Sequence, residues 1–211
     1  EEITRPFLNP KIKAVGGVFK PMWKNFFEKC EAVIVCKPIE KINPNTFLPS
    51  SRSLAFRKEV WKTVGGYPKH RIGGEDTLFN LRIKEKGYKF YIAKKAIVYW
   101  RMRAPLKKYI RQFYLYAVGD AKQGNIPRMK TNFLFNIFSP IYLLIIIAFL
   151  FLKPIASLIM FIPIFLYFFY QGLKVASFVK DIRGFYYGVI LSIIKRGAYM
   201  AGVWREWLIP Y

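Results

Sequence analysis

Two apolar stretches in immediate succession constrain this chain more than any other feature. Residues 133–152 and 155–173 contain no charged side chain, and only Lys153-Pro154 separates them. About twenty apolar residues in a helix span the hydrocarbon core of a bilayer. The expectation is a transmembrane hairpin with spans at about 133–152 and 155–173. Buried core helices of a soluble protein would keep a polar outer face, and these stretches have almost none. A third apolar segment, about 185–204, is interrupted by Lys195-Arg196. It reads either as an interfacial helix or as a third span with snorkelling bases.

Charge is segregated from this tail. Residues 1–130 hold 28 of the 35 lysines and arginines and 10 of the 12 acids. A basic head on an apolar tail suits an anionic partner: lipid head groups, a diphosphate ligand or nucleic acid. No nucleic-acid-binding motif is present and the bases are spread along the head, so nucleic acid is not an expected partner. Lys174, Lys180 and Arg183 follow the second stretch. By the positive-inside rule the head and this loop face the cytoplasm, with the hairpin tip outside. The expected location is the cell membrane, multi-pass. Cys30 and Cys36 have only His70 as a further soft ligand, which is too few for a zinc site, and free thiols are expected. The chain opens at Glu1 with no visible signal peptide and reads as starting inside a domain.

Within the head, Lys11 to Phe19 reads as a strand running into Gly16-Gly17. Pro21 opens a helical pattern in which Trp23, Phe26, Phe27, Cys30, Val33 and Ile34 share one face. Residues 38–50 form a loop. Ser53 to Phe56 is a short strand, and Arg57 to Val64 a helix stopped by Gly65-Gly66. Glu75-Asp76 opens a helix through Lys86, closed by Gly87. Tyr88 to Ala93 and Ala96 to Trp100 read as two strands joined by Lys94-Lys95. Pro105 starts a helix to about Gly119.

The acids are scarce, which makes the adjacent Glu75-Asp76 behind Gly73-Gly74 conspicuous. Acids in a first helical turn are stabilised by the free N–H groups and need no catalytic role. A carboxylate on a glycine-hinged loop can also take a proton from a substrate hydroxyl. His70 precedes the pair in the same loop. Gly65-Gly66-Tyr67 suits a turn that needs positive φ.

The order of short motifs separates these readings. Ala14-Val15-Gly16-Gly17 is followed by Ser53-Leu54-Ala55-Phe56-Arg57-Lys58-Glu59-Val60-Trp61 and Val64-Gly65-Gly66-Tyr67. Then come Gly74-Glu75-Asp76-Thr77, Leu81-Arg82, Lys86-Gly87-Tyr88, Ala96-Ile97-Val98-Tyr99-Trp100 and Arg111-Gln112-Phe113-Tyr114. This succession resembles the second half of the family 2 inverting glycosyltransferases of GT-A fold, over about residues 1–125. The resemblance implies an α/β acceptor-side half of a GT-A domain, residues 1–130. A C-terminal membrane region, 131–211, follows it.

The resemblance also implies chemistry. Asp76 would be the general base that takes the acceptor proton, and Glu75 would help to position the acceptor or the base. The reaction would pass a sugar from a nucleotide sugar to a glycan, polyprenyl or lipid-linked acceptor, with inversion. A divalent metal, Mg or Mn, would be held mainly by an Asp-x-Asp motif preceding this chain. Such a chain alone is then expected to be inactive. Two departures stand out. Trp100 occupies a position where the family often has His, and Arg101 or Arg103 could hold the diphosphate instead. Gln112 matches the first residue of a Gln-x-x-Arg-Trp motif, but Leu115 and Tyr116 replace the Arg and Trp, which argues against a processive synthase. The helix around Gln112 also pairs aromatic residues with Lys107, Lys108 and Arg111, as a membrane-surface helix would. A non-enzymatic basic membrane adaptor and a degenerate glycosyltransferase-like subunit are the alternatives.

Overall fold

The structure, a computed structural model, describes residues 1–68 and 73–209, and in one helix leaves out the side chains of 130–132, 135 and 137. His70 lies outside the described residues. Three strands, β1 (Ala14–Met22), β2 (Leu54–Phe56) and β3 (Phe90–Arg101), form one sheet in the order β2-β1-β3. β2 runs antiparallel to β1 and β3 runs parallel to it.

Two expectations for this region are corrected. Residues 88–100 are not two strands but the single β3. Its register against β1 jumps from Gly17↔Ala93 to Val18↔Ile97. The parallel neighbour continues straight, so the ladder resumes beyond the extra residues. Lys94 and Lys95 bulge out to solvent. Pro21 does not open a helix but sits within β1. The helix, α1 (Phe26–Val35), starts after Asn25, whose side chain accepts from the Glu28 N–H at 2.9 Å. Glu28 in turn accepts from the Lys24 N–H. This reciprocal cap outweighs the weak start signal of a proline four residues earlier.

α2 (Lys58–Val64) and α3 (Glu75–Glu85) close one side of the sheet. Ala14, Val60, Val64, Phe79, Ile83 and Phe90 form the core there, with Tyr67 stacked on Phe79 at 4.4 Å between ring centroids. α4 (Leu106–Lys122) follows β3, and α5 (Asn125–Arg128) is one turn.

Three long helices complete the chain: α6 (Lys130–Leu152), α7 (Pro154–Val179) and α8 (Arg183–Leu208). Among the described residues α7 alone is long and apolar enough to cross a membrane, while the apolar part of α6 is the shorter Phe138–Leu152. The third apolar segment is one continuous helix that lies along α4. A Cβ added at Gly202 would sit 2.5 Å from the Tyr114 carbonyl oxygen, so the two helices approach to backbone contact. α8 meets α7 the same way at Gly188, which faces the Gln171 carbonyl and Gly172. A second core, built on Cys30, Tyr109, Phe113, Val175 and Leu191, joins α1, α4, α7 and α8. The Tyr109 hydroxyl donates to the Leu191 carbonyl at 3.0 Å.

Candidate functional site

The Glu75-Asp76 pair stands at the start of α3, and two glycines deliver it. Gly73 and Gly74 both have positive φ, +90° and +72°. Their backbone lies directly against Gly119 of α4. A Cβ on Gly74 would come within 2.8 Å of the Gly119 carbonyl, and one on Gly119 within 2.5 Å of Gly73. Only glycine fits on either side of such a contact. The hinge is therefore pinned to α4. Asn125 fastens it further, donating to the Gly74 carbonyl at 2.9 Å.

Asp76 is half-buried, and its Oδ1 accepts from the Thr77 N–H at 2.8 Å. The buried Glu75 Oε2 has no hydrogen-bond partner among the described residues. A buried carboxylate oxygen left unpaired is costly unless a ligand supplies a donor. A third carboxylate, Asp120 of α4, lies close by. It accepts from Tyr199 Oη at 2.8 Å and from Asn125 Nδ2 at 3.1 Å. Burial pushes the Asp120 carboxyl above the usual carboxylate range, these hydrogen bonds oppose the shift, and the Asp76 charge adds to it. Sequence reasoning passed over Asp120, because nothing in the order of residues shows that α4 returns to the glycine hinge.

These three acids share a cavity of about 870 Å³. Its wall is composite. The segment Leu48–Arg52 and the start of α3 form one side, and α4, α7 and α8 form the other. Asn80 donates to the Pro49 carbonyl and fixes the first of these to α3.

The basic and aromatic candidates separate. Trp100 lines the cavity, 5.4 Å from the Phe19 ring. Arg101 and Arg103 are exposed and do not line it. Side chains alternate along a strand, so Arg101 points to the opposite face from Trp100. The Arg103 N–H instead donates to buried Glu31 at 3.0 Å. Two other arginines line the cavity: Arg196 of α8, and Arg52, whose guanidinium lies 5.6 Å from the Trp100 ring centre. Gln112 is buried behind the wall, with Nε2 3.3 Å from the hydroxyl of Tyr116, which does line the cavity. Cys30 and Cys36 are free thiols. Burial pushes the cavity-lining Cys36 up to about 11, which leaves it a neutral thiol near pH 7. Among the described residues no three Asp, Glu, His or Cys side chains come together as metal ligands.

Comparison with known proteins gives this geometry a context. The chain is 29% identical over 124 residues to the O-antigen chain rhamnosyltransferase WbaN of Salmonella anatum, covering 54% of this chain and 39% of that protein. It is 28% identical over 102 residues to the O-antigen chain rhamnosyltransferase RfbN of Salmonella typhimurium, covering 44% of this chain and 32% of that protein. The matched region is thus well under half the length of either curated relative. Residues 2–173 match the family described as glycosyl transferase family group 2. The match takes in the glycine hinge, the acid pair, the cavity wall as far as Gln171 and most of α7, and this chain belongs to that family.

Proposed function

We propose that this chain supplies the acceptor side of an inverting glycosyltransferase acting at a membrane surface. The donor is a nucleotide sugar. The acceptor is a glycan or lipid-linked molecule that enters the cavity between the basic head and the apolar helices. The carrying observation is the acid pair, held on a pinned glycine hinge and facing a cavity large enough for a sugar.

In this reading Asp76 accepts the proton of the acceptor hydroxyl as its oxygen attacks the anomeric carbon. The new carbon–oxygen bond forms as the bond to the diphosphate breaks, on the opposite face, so the configuration inverts. An alcohol is a poor nucleophile near neutral pH, and a base placed at the attack supplies the missing driving force. Glu75 Oε2, unpaired and buried, accepts from a second acceptor hydroxyl and fixes its orientation. Arg52, stacked over Trp100, lends positive charge to the departing diphosphate. A divalent metal would add to that charge compensation. No cluster of ligands for it occurs among the described residues.

The membrane reading rests on the surface of α6 and α7. Leu144, Phe151, Leu152, Ile155 and Leu158 are each more than 60% exposed. A continuous apolar surface of that extent is disfavoured in water and suits lipid. The head then lies on the cytoplasmic face.

The test is a screen of nucleotide sugars, nucleotide-linked rhamnose among them, with membranes carrying the whole gene product that contains this chain and with Asp76→Asn alongside. Turnover should fall about 10²- to 10⁴-fold in Asp76→Asn, with donor binding retained. An Asp76→Asn protein that transfers sugar at the normal rate would remove Asp76 from the role of base.

A further inference from the structure

α7 and α8 are apolar over most of their length, yet both turn a polar seam to the cavity. On α7 it is Tyr167, Gln171 and Lys174, and on α8 it is Ser192, Lys195 and Tyr199. Residues three and four apart share one helix face, so each triplet is one stripe. Polar stripes in apolar helices that face a cavity mark ligand paths. Lys37, from the segment after α1, lines the same cavity.

The lysines have a structural duty. Lys174 Nζ donates to the Val33 carbonyl at 3.0 Å, and Lys195 Nζ to the Ile34 carbonyl at 3.1 Å. These carbonyls belong to the last turn of α1, where cations are favoured. That duty takes one of three donors on each ammonium. It does not explain why three lysines gather on one cavity wall with no acid among the described residues paired to any of them. None of the ion pairs among the described residues involves Lys37, Lys174 or Lys195. Like charges gathered in a partly desolvated cleft repel unless an anion joins them. A second observation points the same way. The buried Ser192 Oγ, one turn from Lys195, has no hydrogen-bond partner among the described residues.

We infer that Lys37, Lys174, Lys195 and Ser192 form a binding site for a phosphate or diphosphate group at the helix-lined end of the cavity. Two ligands of a glycosyl transfer could bring that group: a lipid-linked acceptor and a nucleoside diphosphate. The assignment to either rests on the proposed function, whereas the anion site itself does not. The ammonium donors not given to α1 and the Ser192 hydroxyl would hold the anion, with Lys195 steadied 5.0 Å from the Phe113 ring centre, and the apolar helices beside them suit an isoprenoid chain.

The experiment is isothermal titration of the detergent-purified chain with inorganic pyrophosphate, farnesyl diphosphate and a nucleoside diphosphate at fixed ionic strength. Pyrophosphate should bind, and the Lys174→Met/Lys195→Met double variant should lose about tenfold or more in affinity. Lys174→Arg/Lys195→Arg should keep most of it, and Lys94→Met/Lys95→Met on the distant bulge should keep all of it. Lys37→Ala, an exposed loop position, gives the same comparison with little risk to folding and should weaken binding about threefold or more. Tighter binding of farnesyl diphosphate than of the nucleoside diphosphate assigns the site to a lipid-linked ligand, and the reverse order to the donor. Pyrophosphate that fails to bind, or binds Lys37→Ala and the double Met variant as well as the parent, overturns the site. Asp76→Asn, which removes a negative charge from the same cavity, should bind pyrophosphate at least as tightly as the parent, so loss of this site and loss of the Asp76 role are told apart.

Discussion

Glu31 shows how a single buried acid makes this protein sensitive to pH. It sits on α1 and is 1% exposed, and it accepts a hydrogen bond from the Arg103 N–H at 3.0 Å. Burial pushes its carboxyl from 4.5 up to about 7, that hydrogen bond opposes the rise, and the Glu28 charge adds to it. Between those values the folded chain holds a proton that the unfolded chain has released. Stability therefore falls as pH rises through that window. Glu31→Gln keeps an acceptor for Arg103 and removes the charge. It should stabilise the fold above pH 7 by on the order of 2 kcal/mol and flatten the slope, as read from unfolding midpoints at pH 5 and pH 8. An unchanged slope would place the titration elsewhere. Nothing in the local sequence marks Glu31, because its burial comes from segments distant along the chain.

At the scale of elements, the glycine hinge and α3 were the most legible part. Glycines before an acid pair and a glycine after the last turn mark both ends of a helix, and the observed α3 ends one residue short of the expected Lys86. What local pattern could not show is the reason for the hinge. Gly65 and Gly74 both have positive φ, but a Cβ at Gly65 meets nothing within 4 Å, while one at Gly74 strikes α4. Gly65→Ala should cost about 1 kcal/mol for backbone strain alone. Gly74→Ala should cost distinctly more and also depress transfer by displacing Asp76, as measured by unfolding midpoints and initial rates. Equal costs for the two would mean that contact with Gly119 is not what requires glycine. The missed bulge in β3 has a similar origin. Two lysines between apolar runs look like a turn, and only the parallel neighbour β1 shows that pairing resumes.

For the whole molecule, the arrangement of α8 decides how head and tail cooperate. It lies between α4 and α7, in backbone contact with both, and carries part of the cavity wall. The basic head and the apolar helices are thus one packed body with a site at their junction. If α7 lies in lipid, the protein should stay with the membrane pellet through an alkaline carbonate wash and leave it only in detergent. Release by carbonate would mean that these helices only touch the bilayer.

Composition and order alone determined the apolar tail, the basic head, the family and the acid pair, because long uncharged runs and short motifs are local properties of a chain. Only tertiary structure decided which charged groups meet the acids. Arg101 and Arg103 are near Trp100 in sequence, but strand alternation and the turn after β3 send them outward. Arg52, Asp120, Lys174 and Lys195 come from four separate elements to one cavity. Their convergence follows from close packing at glycines and from shared apolar cores, which act between distant segments and leave no periodic trace in sequence.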